Sequence, residues 1–238
     1  MRKAIIQYLE QLRYSGIREI YISKPEQTAE TQSGLRTEDK IQLLRDRQQA
    51  YQNCRNCPLW EGRNKFVYGE GNPDAVCMVI GEGPGANENL QGRPFVGEAG
   101  QLLDKMLIAI NIERKDVYIA NIVKCRPPGN RNPEQAEREA CLPYLLEQIE
   151  IIQPKMFLLM GLVAAQTLLQ TNQAMKVLRE GAHSFLNRPA YVTYHPAALL
   201  RNPNWKRDAW TDLKKFRIDY EAELAKLPPK QDKDNAQA

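Results

Sequence analysis

The chain has 238 residues, enough for one large domain or two small ones with a substantial core. With 42% hydrophobic and 26% charged residues it reads as an ordinary soluble globular protein. The net charge of +4 permits an anionic partner without requiring one, and no run reaches the roughly 20 apolar residues of a membrane span.

The opening stretch MRKAIIQYLEQLRYSG lacks a signal-peptide core, so export is not expected and a cytoplasmic location is. Ile5, Ile6, Leu9 and Leu12 fall at helical spacing and predict a short amphipathic helix over residues 1–13. The polar stretch YISKPEQTAETQSGLRTEDK reads as a flexible linker, and a second helix, Thr37–Gln52, leads into Cys54. Four short apolar runs then have the length and bounding of buried strands: Val76–Ile80, Val117–Asn121, Met156–Met160 and Ala190–Tyr194. Helical stretches separate them at Gly100–Ile110, Pro133–Ile152 and Ala164–Leu169, with a weaker one before Gly181. The end from Leu227, LPPKQDKDNAQA, has little to bury and reads as a disordered tail.

Strands alternating with helices predict an α/β fold, a three-layer α/β/α sandwich around a central four-stranded parallel sheet. The expected organisation is an N-terminal extension over 1–45, one domain over 46–225 and a tail over 226–238. A distinctive loop follows each strand: GEGPG, KCRPPGN, GLVAA and HPAALLRNP. Ligands of open α/β sheets bind at the carboxyl ends of strands, so these loops are expected to converge.

Five cysteines without an export signal point to reduced thiols, hence metal or cluster ligands before disulfides; two histidines exclude a His-rich site. Cys54 and Cys57 form a C-x2-C pair, Cys125 falls in a loop and Cys141 in a helix. Four thiolates can hold zinc or a [4Fe–4S] cluster. The single close pair, and prolines beside Cys57 and Cys125, lean toward iron–sulfur; four unlinked thiols are the alternative. Cys77, inside VCMVI, reads as a core thiol.

GEGPG lacks both the GxGxxG spacing and the GK[ST] ending of phosphate loops. Its glycines let backbone N–H groups approach a ligand, and Glu82 sets a carboxylate beside them. Phe95, in GRPFVGEAG, sits on a glycine-flanked loop rather than a periodic face. It either stacks on a planar ligand or packs under its loop.

Taken together, GEGPG…GRPFVGEAGQLLD, YIANIVKCRPPGNRNP and YHPAALLRNP, with Cys54, Cys57, Cys125 and Cys141, resemble family 4 uracil-DNA glycosylases, the iron–sulfur members of their superfamily. The resemblance covers about residues 50–217. It implies a single α/β/α domain that flips uracil from DNA and hydrolyses its N-glycosidic bond, starting base excision repair. It further implies that Gly81, Glu82 and Gly83 contact uracil, Phe95 stacks on it, Asn121 reads its edge and His195 belongs to the second active-site motif. The four cysteines match the ligands of a [4Fe–4S] cluster.

Those roles agree with the chemistry of the residues. An Asn121 amide that donates to O4 and accepts from N3–H rejects cytosine, which presents the reverse pattern. A His195 donor toward O2 stabilises the departing uracil anion. Glu82 and Glu88, the acids near the glycine loop, are the candidates for orienting water. Leu199 and Leu200 are candidates for wedging into the gap left by a flipped base, with Arg201, Lys124 and Arg126 contacting phosphates. From 201 to 217, six Lys or Arg oppose two Asp, concentrating the basic charge after His195. The expected partner is uracil-containing DNA, single- or double-stranded, met by a monomer without a membrane or a nucleotide cofactor. The competing readings are a non-catalytic iron–sulfur DNA-binding protein on the same scaffold and a zinc-stabilised nucleotide-binding module.

Overall fold

The computed structural model describes residues 34–227. The helix expected over 1–13, most of the linker and the tail after Leu227 lie outside them. Among the described residues no helix is long and apolar enough to cross a membrane.

Six strands form one sheet: β1 (Glu70–Gly71), β2 (Cys77–Gly81), β3 (Tyr118–Asn121), β4 (Met156–Met160), β5 (His183–Phe185) and β6 (Arg188–Thr193), in the order β1-β3-β2-β4-β6-β5. The central four, β3-β2-β4-β6, pair in parallel as expected. The structure adds an antiparallel strand at each edge, β1 on β3 and β5 on β6. Both additions are short and only partly buried, so they carry none of the apolar signal that marks the central runs.

The helices are α1 (Thr37–Tyr51), α2 (Ala86–Gln91), α3 (Glu98–Ile108), α4 (Gln135–Ile152), α5 (Leu162–Leu169), α6 (Met175–Glu180), α7 (Pro196–Arg201) and α8 (Lys206–Leu224). Alternation along the buried strands sends side chains to two cores. Met78 and Ile80 of β2 join Leu44 of α1, Leu145 and Ile149 of α4 and Leu168 of α5. Cys77 and Val79 face the other way, onto Leu103 and Leu107 of α3 and Leu213 and Phe216 of α8. Cys77 is fully buried there, the core thiol that its strand position predicts. Helices therefore cover both faces, giving three layers.

The expected domain start at residue 46 requires correction, because α1 straddles it. Leu44 is 9% exposed, the Lys40 ammonium lies 2.6 Å from Asp74, and Tyr51 donates to Glu147 at 2.7 Å. A helix docked through its whole length belongs to the domain, so the packed body begins by Thr37. Its polar composition conceals this, since one buried leucine makes a weak periodic signal.

Candidate active site

The carboxyl ends of β2, β3, β4 and β6 open into one pocket of about 490 Å³. Glu82, Phe95, Asn121, His195, Arg201 and Trp205 all line it, along with Gly83. The convergence expected of the loops is therefore what the sheet topology produces.

Asn121 ends β3 and is 2% exposed. Its side-chain Oδ1 is buried without a hydrogen-bond partner, whereas its backbone carbonyl accepts from Lys124 Nζ at 3.0 Å. An unpaired buried amide oxygen costs about 1–3 kcal/mol, so this atom is set to accept from something entering the pocket. Gly81 lies across from it in register, at the end of β2. A Cβ at Gly81 would stand 2.5 Å from both Asn121 Oδ1 and the Phe95 ring, so only glycine leaves room for the two side chains.

Phe95 is 5% exposed, with φ of +51°, a left-handed conformation rare for an aromatic residue. Two side chains brace its loop. Glu88 Oε1 accepts from Val96 and Gly97 N–H at 2.8 and 2.9 Å, while Oε2 accepts from Gly85 N–H at 3.1 Å. On the other side, Arg114 donates to the Phe95 carbonyl at 3.1 Å and the Pro94 carbonyl at 2.6 Å. Arg114 is itself fixed by Glu70 and Asp104. Glu88, expected to orient water, also lines the pocket, and three backbone N–H groups engage its carboxylate as a clamp on this loop. Arg114 has no motif to announce it, because its partners lie 10 to 44 residues away.

His195 is the N-cap of α7, where its Nδ1 accepts from Ala197 N–H at 3.2 Å. With Nδ1 accepting, the ring proton of the neutral form resides on Nε2. Burial, aided by the nearby Arg201 cation, pushes the imidazole down to about 4, so the ring is neutral at physiological pH. Phe95 stacks on it with ring centroids 5.4 Å apart. Gly161, at φ of +95°, passes behind; a Cβ there would meet His195 Cβ at 2.9 Å. Glu82 is half-buried, with burial holding its carboxyl above the ordinary glutamate value. Of the two acids that line the pocket, Glu82 is the one not engaged in clamping the Phe95 loop, which suits it to orienting water.

A family model described as the uracil DNA glycosylase superfamily matches residues 68–214. The type-4 uracil-DNA glycosylase of Pyrobaculum aerophilum is 44% identical over 172 residues, 69% of this chain and 88% of that protein. Those of Sulfurisphaera tokodaii and Thermotoga maritima are 42% and 41% identical, with 79% and 85% of their lengths covered. The chain belongs to the type-4 uracil-DNA glycosylase family.

In this family member the surface beside the pocket departs from two expectations. Leu199 is 1% exposed and packs in the α3–α8 core, so it cannot wedge into DNA; Leu200, at 42%, remains available. A helix sends consecutive residues about 100° apart, which is why only one of an adjacent pair faces out. Lys124 is fully buried, its Nζ donating to Asn121 O and to Gln148 Oε1, and so cannot reach phosphate. Arg126, bonded to Asn130 Oδ1 at 2.8 Å, and Arg201, at the pocket rim, stay near the surface.

Cys54, Cys57, Cys125 and Cys141 of this glycosylase-family chain line a second, separate cavity, and all are free thiols. Donors already point at the sulfurs: Lys124 N–H at 3.2 Å from Cys141, Tyr144 Oη at 3.0 Å from Cys54 and Arg63 at 3.5 Å from Cys125. Among the described residues no three His, Cys, Asp or Glu side chains meet the spacing of a single-ion site. The fit to a cluster therefore rests on the donor set, four soft sulfur ligands with hydrogen bonds to compensate their charge, and that set fits.

Proposed function

We propose that this chain excises uracil from DNA by hydrolysing its N-glycosidic bond, leaving an abasic site for base excision repair. The observation that carries the reading is the buried, unpartnered Asn121 Oδ1 in the pocket. A flipped uracil offers N3–H to that oxygen and O4 to the amide N–H, the reverse of cytosine, so selectivity follows from a fixed amide. Asn121 gains that fixity from its strand, from the Lys124 bond to its carbonyl and from the tight contact with Gly81.

Extrusion of the base costs a few kcal/mol. Stacking on Phe95 returns roughly 1–3 kcal/mol of this, and Leu200 fills the vacated space while Arg201 holds the backbone. His195 then donates its Nε2 proton as a hydrogen bond toward O2, where negative charge develops as the bond to the sugar breaks. A preorganised donor of this kind contributes about 3–4 kcal/mol. A neutral ring donates without having to be charged first. Glu82 orients water toward the sugar carbon and its charge offsets the developing cation.

The four cysteines are assigned to a [4Fe–4S] cluster, which would supply a covalent staple among the segment after α1, the loop after β3 and α4. The reading includes a monomer acting in the cytoplasm on single- or double-stranded DNA.

The test is incubation with a uracil-containing oligonucleotide in EDTA, followed by alkaline cleavage. Scission at uracil but not at cytosine is expected. Binding without scission would leave the non-catalytic alternative. Purified protein is expected to be brown, with broad visible absorption and four iron atoms' worth of signal scaling with protein; a colourless, zinc-loaded protein would overturn the cluster assignment.

A further inference from the structure

The pocket is much larger than a single pyrimidine ring, and its lining extends beyond the residues assigned to uracil to the aromatic pair Tyr194 and Trp205. Trp205, in the turn Pro203–Trp205, stacks on Tyr194 with ring centroids 4.8 Å apart and planes 18° from parallel. Arg179 lies 4.4 Å over the same tyrosine ring. Tyr194 thus contacts both side chains, and Arg179 also donates to its hydroxyl at 3.3 Å. The base of the stack is rigid: Arg179 binds Asp212 through two hydrogen bonds of 2.6 and 3.0 Å, and Thr193 donates to the same carboxylate at 2.9 Å. Trp205 nevertheless remains 39% exposed, unusual for a large ring already stacked on another.

We propose that Trp205 is a second base-stacking site, taking the unpaired nucleotide next to uracil on the same DNA strand. The inference rests on the function proposed above and deepens it. Charge favours this occupant: Arg201 lines the same pocket, Lys206 and Arg207 follow Trp205 as exposed cations, and a strand that stacks a base there must bring phosphates to them. A rigid indole offers its π-face to any base, so the site is tolerant of sequence. In a duplex the neighbouring base stays paired within the helix, and the platform is unused. The proposal therefore makes single strands the better substrate through this residue.

The experiment is a cycle between protein and DNA, read as kcat/KM for uracil release from single strands. Substrates carry either an ordinary base or an abasic spacer beside uracil, on the 5′ or the 3′ side. Wild type is expected to lose roughly tenfold when the spacer replaces the base on one side, the factor of one stacking contact. Trp205→Ala should lose the same factor with the intact strand and become indifferent to the spacer. Trp205→Phe should restore most of the loss, and duplex substrates should show little effect of any variant. Independent, multiplying losses, or a wild type insensitive to the spacer on both sides, would overturn the proposal while leaving uracil excision standing. Wild type that releases no uracil from any strand removes both readings. Should the alanine variant fold poorly, the phenylalanine variant and the wild-type spacer comparison still decide.

Discussion

Asn121 and Gly81 end adjacent parallel strands, and the amide oxygen of one occupies the space that a side chain on the other would need, 2.5 Å from the missing Cβ. Gly81→Ala is therefore a probe of amide placement. It is expected to lower single-turnover uracil release by about two orders of magnitude or more, the scale of one misplaced transition-state donor. The melting temperature should fall only by a few degrees, because Asn121 and Phe95 can shift into the pocket. Release at the wild-type rate would show that the amide does not read the base.

Asn121→Asp removes the donor half of the amide and sets a negative charge against uracil O4. Uracil release is expected to fall by about 10²–10³-fold with circular dichroism unchanged. Single-turnover kinetics on the two proteins checks this.

His195 has its pKa depressed from 6.5 to about 4, chiefly by burial. Between those values the unfolded chain binds a proton that the folded chain does not, so stability rises with pH across that window and is lost on acidification from 6.5 toward 4. Chemical denaturation at pH 7, 5.5 and 4.5 should show this slope, and His195→Gln should reduce it. Uracil release should likewise be level through pH 6.5, with no loss at the ordinary histidine value. A rate that rises as pH falls through 6.5 would mean that the charged ring is the active form.

Glu88 and Glu82 are separable by their pH profiles. Glu88→Gln leaves one of the three loop N–H groups facing an amide donor, a mismatch of about 1–3 kcal/mol. It should lower both the melting temperature and kcat without changing the shape of the pH–rate curve. Glu82→Gln should leave stability near wild type and abolish the acidic limb of that curve. Identical profiles for both variants would reassign water activation elsewhere.

Leu199 and Leu200 separate packing from DNA contact in the same way. Leu199→Ala opens a hole in the α3–α8 core and should cost about 2–5 kcal/mol of stability. Leu200→Ala, at an exposed position, should leave the melting temperature unchanged and reduce activity on duplex DNA more than on single strands. Thermal melts and paired substrate assays distinguish the two.

The sequence by itself determined the four central strands, the helices between them and the convergence of the GEGPG, KCRPP and YHP loops. Those are local signals: short apolar runs, glycine-rich loops and motifs whose residues are neighbours in the chain. Phe95, Asn121 and His195 were legible for that reason, as were the four cysteines. Tertiary structure alone decided which of two adjacent residues faces water, as with Leu199 and Leu200, and that Lys124 spends its hydrogen bonds inside the protein. It also decided that Glu88 is a clamp and that Arg114 braces Phe95 from 19 residues away. A charged side chain's role depends on what surrounds it, and its surroundings come from strands and loops that only the folded sheet brings together. The two histidines divide on the same ground. His183 bonds its own neighbourhood at Leu178 O, whereas His195 caps α7 just beyond a central strand and lines the pocket.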